Sequence, residues 1–167
     1  MKIDVIRTDS KEIVEKLKNL GFDRIFLLKE HSIKDITKNE NNEFDAYSGK
    51  DYNFIIRKGK ARFIYDLEIN NFLLNKGLCS KLKENKITVI FSFSALEKSE
   101  NMFKVYKNML INGKLCNDYG VNCLYSSGSE NTSDVKSFFQ LCAFAEEFGY
   151  NYKNMLNSIK KVTELVN

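Results

Sequence analysis

Two apolar rhythms take turns along this chain, short apolar runs of strand type and stretches of helical period. Lys2–Ile6 reads as a short strand. Ile13, Val14, Leu17 and Leu20 follow at helical spacing behind Asp9-x-x-Glu12, a capping-box pattern, and Gly21 stands at the C′ position. Arg24–Leu28 is a second buried strand. His31–Asp51 is polar and nearly aperiodic, with room for one short helix, and is the best candidate for a mobile or binding loop, above all over 38–51. Asn53–Arg57 and Arg62–Asp66 look like strands around Lys58-Gly59-Lys60, joined as a hairpin or as a crossover between sheet neighbours.

Gly77–Asn85 reads as a helix and Ile87–Phe93 as the clearest strand. Ser94-x-x-Glu97 is a second capping-box pattern, opening a helix, continuous or broken, that runs to Tyr119. Met102, Phe103, Tyr106, Met109, Leu110 and Gly113 form one face of it, with Lys104, Lys107 and Lys114 on the far side. A strand over Val121–Tyr125, a serine-rich loop opening a helix to Phe148, and a last helix or helix pair through Val166 complete the chain. Repeated strand–helix units imply a parallel sheet with helices outside it, open or curled into a partial barrel. The expected architecture is one α/β domain over 1–167, short for a complete eightfold barrel.

A content of 43% hydrophobic and 29% charged residues supports a single folded core. The formal charge of +4 and pI near 8.7 are compatible with a nucleic acid or an acidic membrane surface without selecting one. Cys79, Cys116, Cys123 and Cys142 lack C-x-x-C spacing and read as buried free thiols of a reducing compartment. No signal-peptide pattern opens the sequence and no apolar run nears a membrane span, so a cytoplasmic location is expected.

His31 is the only histidine, which rules out an H-E-x-x-H site and a multi-histidine zinc site within one chain; it reads as a solvated loop residue. No partner for a Ser-His-Asp arrangement is evident. Asp4, Asp66 and Glu68 lie on or just after strands, where barrel enzymes place catalytic groups, and three acids could hold Mg²⁺, though their spacing is unspecific. Ser126, Ser127, Gly128 and Ser129 offer hydroxyls and backbone N–H groups to a phosphate; the same small residues also suit a tight turn. A P-loop motif is absent. Arg57, Lys58, Lys60 and Arg62, with Phe54 and Phe63 nearby, form a dense basic cluster that either neutralises phosphates or is a solvated turn. The helix containing Phe138, Phe139, Leu141 and Phe144 is apolar on nearly every side, hence deeply buried or covered by a partner.

Taken in order, several segments resemble the archaeal ribonuclease P protein component 3 family, whose eukaryotic relatives are the thirty-kilodalton subunits of the same enzyme. They are D-V-I-R-T-D-S at Asp4–Ser10, L-G-F-D-R-I at Leu20–Ile25, the long match Asn75–Leu96, K-L-C-N-D-Y-G-V at Lys114–Val121, S-S-G-S at Ser126–Ser129, and A-E-E-F-G-Y at Ala145–Tyr150. The resemblance implies a single-domain β/α barrel-like fold related to metal-dependent phosphoesterases, without their histidine-rich metal site. It also implies a non-catalytic subunit supporting a catalytic RNA in removing 5′ leaders from precursor tRNA, beside a small ferredoxin-like protein subunit. No cofactor is then expected on this chain, and Mg²⁺ belongs to the RNA-containing holoenzyme. Ser129 where alanine is usual, Lys136-Ser137 in place of Arg-Pro, and Thr8 in place of proline depart from the family pattern.

The RNA-binding residues expected on this reading are Arg7, Arg57, Lys58, Lys60, Arg62 and Lys76, with Ser126, Ser127 and Ser129 donating hydrogen bonds. Phe138, Phe139 and Phe144 are expected at the protein partner. The rival readings are a metal-dependent phosphoesterase using Asp4, Asp66 and Glu68, and a protein-only scaffold.

Overall fold

The apolar runs become strands and the intervening amphipathic stretches become helices. The computed structural model describes residues 1–37 and 43–166. The order is β1 (Ile3–Ile6), α1 (Lys11–Asn19), β2 (Arg24–Leu28), β3 (Ser32–Asp35), β4 (Glu43–Tyr47), α2 (Tyr52–Lys58), β5 (Phe63–Tyr65), α3 (Lys76–Glu84), β6 (Thr88–Ser92), α4 (Phe93–Glu97), α5 (Met102–Tyr119), β7 (Cys123–Ser126), α6 (Phe138–Glu147) and α7 (Tyr152–Val166). The strands form one sheet in sequence order, parallel except that β3 runs against both its neighbours.

The sheet curls until its ends meet. Gly128 N–H donates to Val5 O at 3.0 Å and Arg7 N–H to Ser129 O at 3.0 Å, so the end of β1 pairs with the chain leaving β7. The result is a reduced, nearly closed β/α barrel, as the strand–helix repeat implies. Gly128 sits at φ 61, and a Cβ there would stand 2.8 Å from Ser92 Cβ, so the seam requires glycine. Among the described residues no helix is long and apolar enough to cross a membrane.

Three expectations are corrected. The first part of the expected loop is a hairpin strand: β3 carries only Ile33 as a buried apolar residue, and is held to β2 by the buried Arg24–Asp35 ion pair at 2.5 Å. Residues 38–42 of the expected 38–51 loop lie outside the described residues, and β4 occupies much of the remainder. Second, Asn53–Arg57 is helical. Tyr52 and Ile56 bury one face four residues apart, and Gly59 closes the helix in the left-handed conformation, so β4 reaches the parallel β5 by a crossover and not a hairpin.

Third, the face that the long helix turns inward only overlaps the expected one, in Met109 and Gly113. Val105, Asn108, Met109, Asn112, Gly113 and Cys116 are buried, whereas Met102, Phe103 and Leu110 are exposed. Asn108 and Asn112 tie down the segment after β5, Asn108 donating to Glu68 O at 3.1 Å and Asn112 to Phe72 O at 2.9 Å. Neither Asp9 nor Ser94 caps a helix; the side chains that do include Asn75 for α3, Asn101 for α5, Ser137 for α6 and Asn151 for α7. All four cysteines are free and buried.

Gly113 is where α5 meets Tyr125 and Phe148 most closely. A Cβ there would lie 2.8 Å from Tyr125 Oη and 3.0 Å from Phe148 Cβ. Alanine gains about 1 kcal/mol of helix propensity but costs about 1–3 kcal/mol in overpacking. Gly113→Ala should therefore lower stability by about 1 kcal/mol in urea denaturation; a stabilised variant would show that the contact is looser than described.

Candidate nucleic-acid interface

In a β/α barrel the C-terminal ends of the strands usually carry the chemistry. Here Arg7 leaves β1 and Asp66 leaves β5, and the two form an ion pair, with the guanidinium also 5.7 Å from the centroid of the Tyr65 ring. Lys98 bridges Glu130 at 3.0 Å and Asp134 at 2.9 Å. Burial opposes ionisation of Asp134, but Lys98 and the N–H groups of Glu130 and Asn131 outweigh it and hold the carboxyl below its ordinary range. Arg7, Glu68, Ser94, Lys98, Lys104 and Glu130 border a cleft of about 500 Å³. The positive charges of Arg7 and Lys98 are thus answered within the chain.

Glu68 lies at the base of this cleft, only 1% exposed, and neither carboxylate oxygen makes a hydrogen bond. Burial first, then the negative charge of Asp66, pushes its pKa up to about 8. Asp4 is engaged elsewhere, accepting hydrogen bonds from Val5 N–H and Ser127 N–H at 2.8 Å each and from Ser127 Oγ at 2.5 Å. Asp66 is committed to Arg7. Asp4 and Asp66 are therefore each engaged by another partner, and among the described residues no group of three or more His, Cys, Asp or Glu is placed to hold a metal ion.

The serine loop is also turned inward. Ser126, Ser127 and Ser129 are fully buried; Ser129 N–H and Oγ contact Ser127 Oγ at 3.2 and 2.6 Å, and Ser126 Oγ donates to Phe91 O at 3.3 Å. The loop does not open α6 directly, because a 3-10 turn at Thr132–Asp134 intervenes. Their hydroxyls close the barrel and do not line its surface. Phe138 packs edge-on to Phe22, and Phe144 against Phe93 and Tyr125, so both belong to the protein's own core. Phe139, 72% exposed, is the one of the three on the surface.

The opposite, N-terminal face of the barrel is different in charge. Arg62 N–H donates to Asp45 O, Thr88 N–H to Arg62 O and Val89 N–H to Asn122 O, each at 2.9 Å, which aligns the beginnings of the last four parallel strands. Helices α2 and α3 end here, and Asn85 Nδ2 joins them through Ile56 O at 2.7 Å. Arg62 Nη1 reaches the last turn of α7 through Leu165 O at 2.8 Å. Arg57, Lys58, Lys60 and Arg62 consequently share this face and are exposed. Lys60 lies 4.8 Å from the Phe54 ring centroid and Arg62 5.5 Å from that of Phe44.

The expected cation set is therefore divided between the two ends. Arg7 follows the end of β1 and Lys76 opens α3, so both lie at the C-terminal end. The N-terminal face gains three lysines that the sequence did not single out: Lys83, Lys86 and Lys161. Lys83 in the last turn of α3 and Lys86 just beyond it take ordinary places for cations, which complement the helix dipole; Lys161 lies further from the end of α7, and only the fold shows that the three converge.

No protein-family model matches the sequence, and no curated protein matches it. Among solved structures, one similar chain belongs to a cryo-EM structure of archaeal ribonuclease P with mature tRNA. It superposes with a TM-score of 0.64 over 98% of this chain and 90% of its own length, at 14% sequence identity. That likeness is one of fold.

Proposed function

We propose that this chain is a protein subunit of ribonuclease P, of the component 3 type, supporting the catalytic RNA in endonucleolytic removal of 5′ leaders from precursor tRNA. The observation that carries the reading is the near-complete overlay on a chain of archaeal ribonuclease P. It is supported by the ordered series of sequence motifs and by the cations gathered on the N-terminal face. Its partners would be the ribonuclease P RNA, precursor tRNA in the holoenzyme and the small ferredoxin-like subunit, with Phe139 a candidate contact for the protein partner. Free, buried cysteines suit a cytoplasmic location.

In this role the chain does no bond-breaking itself. Its cations screen the repulsion between closely packed phosphates, which lowers the Mg²⁺ needed for the RNA to fold and react. Arg57, Lys58, Lys60 and Arg62 are the residues proposed to do so; Arg7, held by Asp66, and Lys76 lie at the other end of the barrel. Ser126, Ser127 and Ser129 contribute by fixing the end of β7 at the closing seam.

The test is precursor-tRNA cleavage by the cognate RNA at low Mg²⁺, with and without this chain and its small partner. Stimulation that requires this chain, and no cleavage when the RNA is left out, is the expected result. No stimulation by a folded pair would overturn the proposal, and metal-dependent turnover by the protein alone would favour the phosphoesterase reading.

A further inference from the structure

The N-terminal face holds a cleft of about 400 Å³ between the end of α3 and the end of α7, bordered by Leu82, Lys83, Lys86, Thr88, Asn122 and Lys161. We infer that this cleft is the seat of an RNA phosphodiester backbone, so that the RNA lies across the N-terminal face of the barrel, opposite the cleft where β/α enzymes work. The inference rests on the ribonuclease P reading for the identity of the RNA and on this chain's own geometry for the location.

Charge is the first argument. Lys83, Lys86 and Lys161 are exposed and form no ion pair among the described residues, while Glu164 is the single carboxylate in the described lining. At the other cleft Arg7 is committed to Asp66 and Lys98 to Glu130 and Asp134, which leaves Lys104 as its unpaired cation among the described residues. Arg57, Lys58, Lys60 and Arg62 extend the positive surface beyond the cleft, and Phe54, half exposed, adds a face on which a base can stack. Lys83 Nζ lies beside Gly120, at the closing turn of α5, on the cleft wall.

A second argument comes from the cleft floor. Asn122 donates from Nδ2 to Thr88 Oγ1 at 3.0 Å, but its Oδ1 is buried without a partner. The floor, with Thr88 and Asn122, is thus polar and uncharged beneath a rim of lysines, a setting that suits the phosphates and hydroxyls of RNA.

The third is conformational. Lys86 occupies the left-handed region at φ 55, closing α3 with hydrogen bonds from Lys86 N–H to Lys83 O at 3.2 Å and from Ile87 N–H to Leu82 O at 2.9 Å. Glycine is the usual residue at such a C′ position. A lysine there costs backbone strain and places a cation on the cleft rim.

Binding of the full chain, paired with its small partner, to the transcribed ribonuclease P RNA should be measured by filter retention over a salt series. Combining Lys83→Gln, Lys86→Gly and Lys161→Gln should weaken binding on the order of 10²-fold near 0.1 M salt and reduce the log–log salt slope by about 2–3. The charge-matched control with Lys104→Gln, Lys107→Gln and Lys114→Gln on α5 should bind as the wild type does. Lys86→Gly alone should weaken binding and leave Tm equal to or above wild type, which separates lost contact from lost folding. If the cleft variant binds like wild type, or no worse than the α5 control, the location is wrong while the ribonuclease P reading stands. If the wild-type pair has no salt-sensitive affinity for the RNA, the ribonuclease P reading fails.

Discussion

Asp4→Ala should destabilise the protein by about 3 kcal/mol, a large fraction of the stability of an ordinary domain. The Asp4 carboxylate is fully buried and accepts three hydrogen bonds, two of them from Ser127, which lies 123 residues away in sequence. Removing it strands the Ser127 N–H and leaves Ser127 Oγ without the acceptor that orients it towards Ser129. Each buried group left unsatisfied costs about 1–3 kcal/mol. Urea denaturation should show a lower midpoint with an unchanged slope, and Asp4→Asn, which keeps the volume and one oxygen, should lose less. A loss below about 1 kcal/mol for Asp4→Ala would mean that the backbone bonds of Val5 and Arg7 close the barrel unaided.

Glu68→Gln should change the pH dependence of stability more than any other single substitution here. The folded protein holds the Glu68 proton up to about pH 8, whereas an ordinary glutamate releases it near 4.5. Between those values the folded state binds more protons than the unfolded one, so stability falls as pH rises and levels off above 8. One such group changes stability by at most about 1.4 kcal/mol per pH unit. Asp4, pushed up to about 7 mainly by burial, acts with the same sign from about 3.8 to 7. Asp35 and Asp134 act oppositely: their lowered pKa values make stability fall on acidification below the ordinary aspartate range. Maximum stability is therefore expected at mildly acidic pH.

The glutamine variant removes the Glu68 titration and spares the buried site an uncompensated charge. Its Tm should change little between pH 7 and 9 and exceed that of the wild type at pH 9, by the equivalent of about 2–4 kcal/mol. Equal Tm profiles for the two proteins would show that Glu68 titrates as an exposed acid.

The strands that were legible in the sequence are those dominated by apolar residues, such as β2 and β6. Hairpin strand β3 was not, because four residues with one buried aliphatic carry too little periodicity, and its attachment is an Arg24–Asp35 pair from two segments. Helix α2 contains Phe54-Ile55-Ile56, a run that favours a strand locally; the Tyr52–Ile56 spacing and Gly59 were the signals for a helix. The face of α5 was misjudged because buried Asn108 and Asn112 look like solvent positions until the loop they hold is seen.

The candidate interface was legible where its cations are consecutive, from Arg57 to Arg62. It was illegible where the fold assembles it from Lys83, Lys86 and Lys161, which share no local pattern. The serine loop misled for the converse reason. Its composition suits an anion, and its actual partner, Asp4, lies at the other end of the chain.

That separation bears on how the protein is made. During synthesis β1 emerges first, yet its pairing partner beyond β7 appears only after more than two thirds of the chain has been translated. A growing chain released or stalled before Ser127 has an open sheet with unpaired edges, the form most prone to stick to another chain. Closing so distant a contact also makes it a late step in folding. Truncations that end before the serine loop should accumulate as aggregates, and linking residue 167 to residue 1 while opening the chain within an exposed loop would bring the two seam segments closer together along the chain.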